Sequence, residues 1–223
     1  LSGRNNGLLA LISFSILLVV MSQFKERKSV EKILIAFFAS GLVNILYGVI
    51  ENNFGDPIPW NNNYGALLGT FGNPNFAGAF YGLITGLIFT YLIQSGSSIL
   101  IRLSLFALFV SSLFCVLWTD TTQGILVTAL CITIVSLFYL HFKLRNRLIT
   151  LAFSFASLLG GLIVILGILQ KGPLSSFLYK RSVSLRGVYW NAAFETGKEN
   201  LLLGVGMDSF GDWYRRSRSL KGA

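Results

Sequence analysis

The sequence predicts an all-α, polytopic transmembrane helix bundle, on three observations. Of 223 residues, 53% are hydrophobic and only 12% charged, about half the roughly 25% charge of an ordinary soluble domain. Six long apolar runs fall in residues 1–169. The charge is segregated as well: the first 169 residues hold 14 Asp, Glu, Lys or Arg and the last 54 hold 13. Disorder is excluded, because 19 Phe and abundant Leu, Ile and Val are the opposite of its signature. A water-soluble bundle is excluded too, since six such helices would leave no residues to cover them. The expected organisation is a transmembrane bundle over 1–169 and a large, partly helical extracytoplasmic loop over 170–223.

A bilayer core of ~30 Å requires about 20 mainly apolar helical residues, and six segments meet or approach that length. The first, about 7–24, lies in an uncharged run closed by Lys25. The second, about 32–50, fills the gap between Lys32 and Glu51. The third, about 74–95, opens on Asn73-Pro74, an N-cap followed by proline at the first helical position. Its Gly78, Gly82 and Gly86 share one face, which lets a neighbouring helix come close. The fourth, about 99–118, carries Arg102 near its start and ends before Asp120. The fifth, about 122–141, and the sixth, about 149–169, flank the basic turn Lys143, Arg145, Arg147.

Orientation follows from the Lys/Arg bias of short loops. Lys25, Arg27, Lys28 and Lys32 join the first two spans, and Lys143, Arg145 and Arg147 follow the fifth. The alternate connections, 51–73 and 119–121, hold Glu51, Asp56 and Asp120 but no Lys or Arg. The basic turns are therefore expected in the cytoplasm, with 51–73 and 170–223 outside. Trp60, Trp118, Trp190 and Trp213 then lie at or beyond the outer boundary, where interfacial aromatics concentrate.

The tail breaks the charge pattern. Residues 170–223 carry nine Lys or Arg against four acids, on the side where cations are normally sparse. Long loops escape the orientation rule, so the surplus either touches lipid head groups as a solvated basic loop or serves an anionic, phosphate-bearing ligand. Within it, Tyr189, Trp190, Ala193 and Phe194 recur at helical spacing. Ser184 reads as an N-cap and Gly197 as a stop, giving a short amphipathic helix on the membrane with Arg186 in its first turn. Free N–H groups, helix dipole and guanidinium together would suit an anion; the alternative is an arginine that snorkels or pairs with a carboxylate. Lys180, Arg181, Arg215 and Arg216 add to the same field. Gly204-Val205-Gly206 reads as a turn, and Asp208 as the cap of a helix running through Trp213 to Arg216; no βαβ unit precedes it, so a nucleotide loop is excluded.

Two outer connections hold further polar groups. Asn75 lies just inside the third span, where its amide could bond a sugar or simply follow a cap. Thr119-Asp120-Thr121-Thr122-Gln123-Gly124 could line an outer cavity or form an exposed turn. A single histidine, His141, rules out a multi-histidine metal site within these residues, and no carboxylate cluster suits a metal. Cys115 and Cys131 lie in apolar runs and imply no disulfide framework. No ionisable residue sits mid-span, which weighs against an ion-coupled pump.

Gly69-Thr70-Phe71-Gly72-Asn73-Pro74-Asn75 before a span, then Arg186 followed by Trp190, Ala193, Gly204-x-Gly206 and Phe210, resembles the O-antigen ligase/polymerase superfamily, which includes bacterial O-oligosaccharyltransferases. The resemblance spans about 70–210 at motif level. It implies a membrane glycosyltransferase of lipopolysaccharide or cell-envelope biosynthesis, in the bacterial inner membrane. Such an enzyme moves a glycan from undecaprenyl diphosphate to an acceptor hydroxyl on a glycan, lipid or protein, with no cofactor, metal or nucleic acid. By that resemblance Arg186 binds the diphosphate and stabilises it as leaving group. Asn73, Asn75, Gln123 and Trp190 belong to the substrate pocket, and Lys180, Arg181, Arg215 and Arg216 attract the anionic donor.

Two departures qualify it. Many ligases read Ser-Arg-Gly where this chain has Thr122-Gln123-Gly124, so a second arginine contact to the diphosphate is expected to be missing. The histidine that serves ligases as general base would fall beyond Ala223, and His141 is expected on the cytoplasmic side. The chain is thus expected to be an inactive fragment of a longer protein. The alternative function is a transporter of a small anion or solute such as bicarbonate, which some relatives have been thought to be.

Overall fold

A computed structural model describes residues 8–24, 26–58, 62–63, 65–94, 96, 98–178, 181–202, 204–206 and 209–217. All regular structure among them is helical: α1 (Leu8–Ser22), α2 (Arg27–Phe54), a 3-10 turn (Gly69–Phe71), α3 (Pro74–Gln94), α4 (Ile99–Trp118), α5 (Thr122–Phe138), a π-helical turn (Tyr139–Leu144), α6 (Arg147–Ile168), α7 (Ser175–Leu178), α8 (Arg181–Glu199) and α9 (Phe210–Ser217). Among the described residues, five helical segments are long and apolar enough to cross a membrane: α2, α3, α4, α5 with its π turn, and α6. The first apolar run appears as the 15 described residues of α1.

The second span is longer than its apolar run suggests. It begins at Arg27, where Arg27 Nε donates to Glu31 Oε1 at 2.8 Å one turn on, and it continues through Glu51 to Phe54. Charged residues at both ends therefore belong to the helix rather than to its loops.

The chain forms two compact units, 27–158 and 1–26 with 159–223. In the first, α3 is the central helix, packed on both α4 and α5. Its core comprises Ile45, Leu67, Ala77, Tyr81, Ile84, Ile88, Cys115 and Val116. Leu, Ile and Phe on the outer faces of α4 and α5 stay exposed, as lipid-facing side chains should. Glycine makes the packing close. A Cβ on Gly78 would collide with Thr121 Oγ1, one on Gly82 would lie 3.0 Å from Thr128 Oγ1, and one on Gly86 would come within 2.5 Å of Cys131 Cβ. Small residues that let backbones approach are the usual solution where lipid supplies no hydrophobic driving force between helices.

In the second unit α8 packs on α9. Ala192 and Thr196, one turn apart, are buried, and Tyr189 meets Tyr214 with ring centroids 4.8 Å apart.

Candidate functional site

Each unit holds one polar platform. In the first, it is built where α2, the 65–73 segment, α3 and the α4–α5 turn come together. Asn44, Gly48 and Glu51 follow at helical spacing along one buried stripe of α2. The Glu51 carboxylate, only 9% exposed, accepts the backbone N–H of Leu68 at 2.8 Å through Oε1 and that of Gly69 at 2.9 Å through Oε2. Asn44 Oδ1 accepts Thr70 Oγ1 at 2.7 Å, and its backbone carbonyl accepts Tyr81 Oη at 2.9 Å. A glycine is required at 69: its φ is +56, and a Cβ would meet Tyr81 Oη at 3.0 Å. Leu67 N–H donates to the Trp118 carbonyl at 2.9 Å, tying the same segment to the end of α4. The strand of chain entering α3 is thus held at four consecutive residues.

That anchoring fixes the start of α3. Asn73 Oδ1 accepts the Asn75 N–H at 2.9 Å, and the Asn73 carbonyl accepts Ala77 N–H at 3.0 Å. Asn73 is therefore the N-cap, with Pro74 first in the helix. Asn75 is half-buried and its side-chain amide finds no partner among the described residues. Beside it, Thr119 and Thr121 are not an exposed turn. Both are buried, with hydroxyl oxygens 3.0 Å apart, and Thr121 caps α5 by accepting the Gly124 N–H at 3.2 Å. They serve packing against Gly78. Gln123 is half-buried in the first turn of α5; the neighbouring Thr122 Oγ1 is buried without a hydrogen bond among the described residues.

The second platform is α8. It starts at Arg181, not after Ser184, because nothing in 181–184 stops a helix from growing backwards past a serine. Arg186 consequently lies in the second turn, where backbone N–H groups are already committed within the helix, so the N-terminal dipole does not assist it. Gly197 is likewise inside the helix, which runs on to Glu199; an isolated helical glycine is tolerated. Arg186 is exposed and makes no ion pair with any described residue. Tyr189, Trp190, Ala193 and Phe194 are all exposed, Trp190 at 74%, while Ala192 and Thr196 are buried and Tyr189 also meets Tyr214 of α9. Nearby, Lys198 bridges Glu195 at 3.1 Å and sits 4.4 Å from the Phe194 ring centroid. After the helix, Gly204 and Gly206 take φ of +62 and +92, so Gly204-Val205-Gly206 is a turn.

Of the remaining sequence candidates, Arg215 is exposed on α9. Lys180, Asp208 and Trp60 lie outside the described residues, as do the side chains of Arg181, Ser184 and Arg216. Asn73, Asn75 and Gln123 belong to the first unit, Arg186, Trp190 and Arg215 to the second. The sequence reading assigns Glu51 to a loop and gives it no role, whereas in the fold it clamps the backbone of Leu68 and Gly69. Its signal was present in the Asn44, Gly48, Glu51 spacing, but only for a helix extended past residue 50. Among the described residues no group of three or more His, Cys, Asp or Glu could hold a metal ion.

Five helices among the described residues that are long and apolar enough to cross a membrane, a clamped polar platform and an exposed cationic, aromatic helix point to a multi-pass α-helical membrane protein. A family model described as O-antigen ligase matches residues 106–222, just over half of the chain. The chain belongs to the O-antigen ligase family, whose members are membrane glycosyltransferases of the O-antigen ligase type. The match covers Gln123, Arg186, Trp190, Arg215 and the glycine turn, whereas Asn73 and Asn75 precede it. No curated protein and no solved structure matches the chain.

Proposed function

We propose that the chain takes part in transferring a glycan from undecaprenyl diphosphate to an acceptor hydroxyl at the outer face of the bacterial inner membrane, with 1–169 as the membrane bundle and 170–223 as an extracytoplasmic loop. The observation that carries this reading is Arg186, an exposed guanidinium on α8 with no ion-pair partner among the described residues, one turn from the exposed Trp190 and inside the family match. Such a donor joins a charged diphosphate to a long apolar chain, and needs a cation beside an apolar surface. Family membership supports a lipid-linked glycan as substrate in general and gives no support to a transporter.

In the reaction the acceptor oxygen forms a bond to the anomeric carbon while the bond from that carbon to the diphosphate oxygen breaks, and the hydroxyl proton passes to a base. Negative charge grows on the departing diphosphate. Arg186 meets that charge with two parallel N–H donors, a geometry that lysine lacks. A donor preorganised for developing charge is worth about 10²–10³ in rate. Arg215 adds long-range attraction, Trp190 an apolar contact for the donor, and Asn73, Asn75 and Gln123 polar contacts for sugar. Lys180, Arg181 and Arg216 strengthen the attraction.

The test is glycan transfer in membranes of cells expressing the natural protein that carries this sequence, supplied with lipid-linked donor and acceptor. Arg186→Lys is expected to lose about a hundredfold in transfer while inserting normally. Full transfer by Arg186→Lys and Arg186→Ala alike refutes the assignment.

A further inference from the structure

The turn between α5 and α6 has a shape that its role as a connection does not require. α5 widens into the π turn Tyr139–Leu144, Arg145 follows in the left-handed region at φ +52, and Asn146 then caps α6. Asn146 Oδ1 accepts Ile149 N–H at 3.1 Å, and its carbonyl accepts both the N–H and the hydroxyl of Thr150 at 3.0 and 2.8 Å. Left-handed backbone is unfavourable for arginine and far easier for asparagine. The chain nevertheless places the arginine there and the asparagine at the cap. π turns in general cluster at functional positions.

The consequence is a pair of adjoining recesses. One, of about 340 Å³, is lined by His141, Phe142, Arg145, Arg147 and Thr150. The other, of about 350 Å³, is lined by Gln94, Phe138, Tyr139, Phe142 and Lys143. Phe142 forms a wall of both. Its ring stacks on Phe138 with centroids 5.7 Å apart and receives the His141 ring edge-on at 4.6 Å. The first recess is cationic and the second mostly aromatic.

Those cations have no counter-ion among the described residues. The sequence contains no Asp or Glu from Thr121 to Phe194, and Lys143, Arg145 and Arg147 make no ion pair with any described residue. The general preference for Lys and Arg in short membrane loops demands only that charge be present. It does not demand a widened helix end, an arginine in an unfavourable conformation, or an aromatic recess sharing a wall with the basic one. A soluble anion would leave the aromatic recess unexplained. A molecule carrying phosphate at one end and hydrocarbon beside it fills both.

We propose that this turn binds one anionic glycerophospholipid of the surrounding bilayer, its phosphate held by Arg145 and Arg147 and its acyl chain laid along Phe138 and Phe142. Basic pockets at the ends of membrane helices are a recurrent way of holding such head groups. The proposal does not involve Arg186 and stands whether or not the glycan-transfer reading does.

The experiment is native mass spectrometry of the purified chain in micelles doped with phosphatidylglycerol or with phosphatidylcholine, with inorganic phosphate as a third probe. Phosphatidylglycerol is expected to remain bound preferentially. Arg145→Gln with Arg147→Gln should weaken it about thirtyfold, some fivefold for each charge, with unchanged helicity by circular dichroism. Arg145→Lys with Arg147→Lys should keep most of it. Phe142→Ala should weaken the lipid and leave inorganic phosphate unaffected, and Arg102→Gln, at the start of α4, should change neither. Equal retention of the two lipids, or undiminished phosphatidylglycerol in the glutamine double variant, overturns the site. Inorganic phosphate binding as tightly as the lipid, with Phe142→Ala silent, makes it a free-anion site and overturns the lipid assignment.

Discussion

Glu51 is the residue on which the first polar platform depends most directly, and its removal has a calculable effect. Its two carboxylate oxygens each accept one backbone N–H, from Leu68 and Gly69, and Leu68 is 2% exposed. Hydrogen bonds to a charged partner contribute about 1.5–3 kcal/mol each, and a buried N–H left without an acceptor costs about 1–3 kcal/mol. Glu51→Ala strands both donors, so the 67–70 segment should lose about 3–6 kcal/mol of local stability. Glu51→Gln keeps one acceptor oxygen but turns an amide N–H₂ toward the other donor, which puts its loss at about 1.5–3 kcal/mol. Hydrogen exchange reads this directly, because about 1.4 kcal/mol is a tenfold change in the opening equilibrium. The amides of Leu68 and Gly69 should exchange about ten- to a hundredfold faster in Glu51→Gln and faster still in Glu51→Ala. The core of α3 around Ile84 and Ile88 should keep its protection. Unchanged exchange at 68 and 69 in Glu51→Gln would mean that the carboxylate does not hold the segment, and the clamp would have to be abandoned.

Three other outcomes can be checked independently. Gly78→Ala and Thr121→Ala should each lower thermal stability in detergent by about 1–3 kcal/mol, the first by overpacking and the second by loss of the α5 cap. The pair together should cost less than the sum, since Thr121 Oγ1 is what the new methyl strikes; strict additivity would contradict the packing. Trp190→Ala with Phe194→Ala should reduce contact of α8 with the bilayer, read as weaker quenching of Trp213 by brominated lipid, whereas unaltered quenching would detach the stripe from the membrane. Gly187→Cys, at a position where a Cβ meets nothing, should be labelled by a membrane-impermeant maleimide from outside intact spheroplasts. Labelling only after permeabilisation would reverse the proposed sidedness.

The membrane character of the chain was legible because transfer of apolar side chains into lipid is the largest energy in the sequence and depends on composition alone. Helix ends were less legible, for reasons that can be traced to residues. Arg27 and Glu51 were assigned to loops on charge, yet Arg27 finds Glu31 a turn later and Glu51 finds two backbone donors seventeen and eighteen residues on. A charge with a partner no longer marks the limit of a span. Ser184 and Gly197 carried ordinary cap and stop signals, each worth about 1 kcal/mol or less, and both lost to continuation of α8. Asn73-Pro74 succeeded because its two signals agree and because proline can only begin a helix here, with no alternative register nearby.

The site was legible to the extent that it consists of isolated charges and illegible where it consists of partnerships. Arg186 stands out as a candidate because an exposed cation needs no neighbour to be noticed, and it makes no ion pair with any described residue. Thr119 and Thr121 show the reverse. Read one at a time they are polar side chains facing water; in the fold each hydroxyl hydrogen-bonds within the protein, beneath the glycine face of α3. Polar groups near the end of a membrane bundle therefore divide by whether the protein itself satisfies them. Those that it satisfies, Glu51, Asn44, Thr119 and Thr121, fix backbone and are poor candidates for contact with substrate. Those with no protein partner among the described residues, Arg186, the Asn75 amide and the arginines of the α5–α6 turn, are the candidates for contact with a second molecule, and mutations there should change binding while leaving the fold intact.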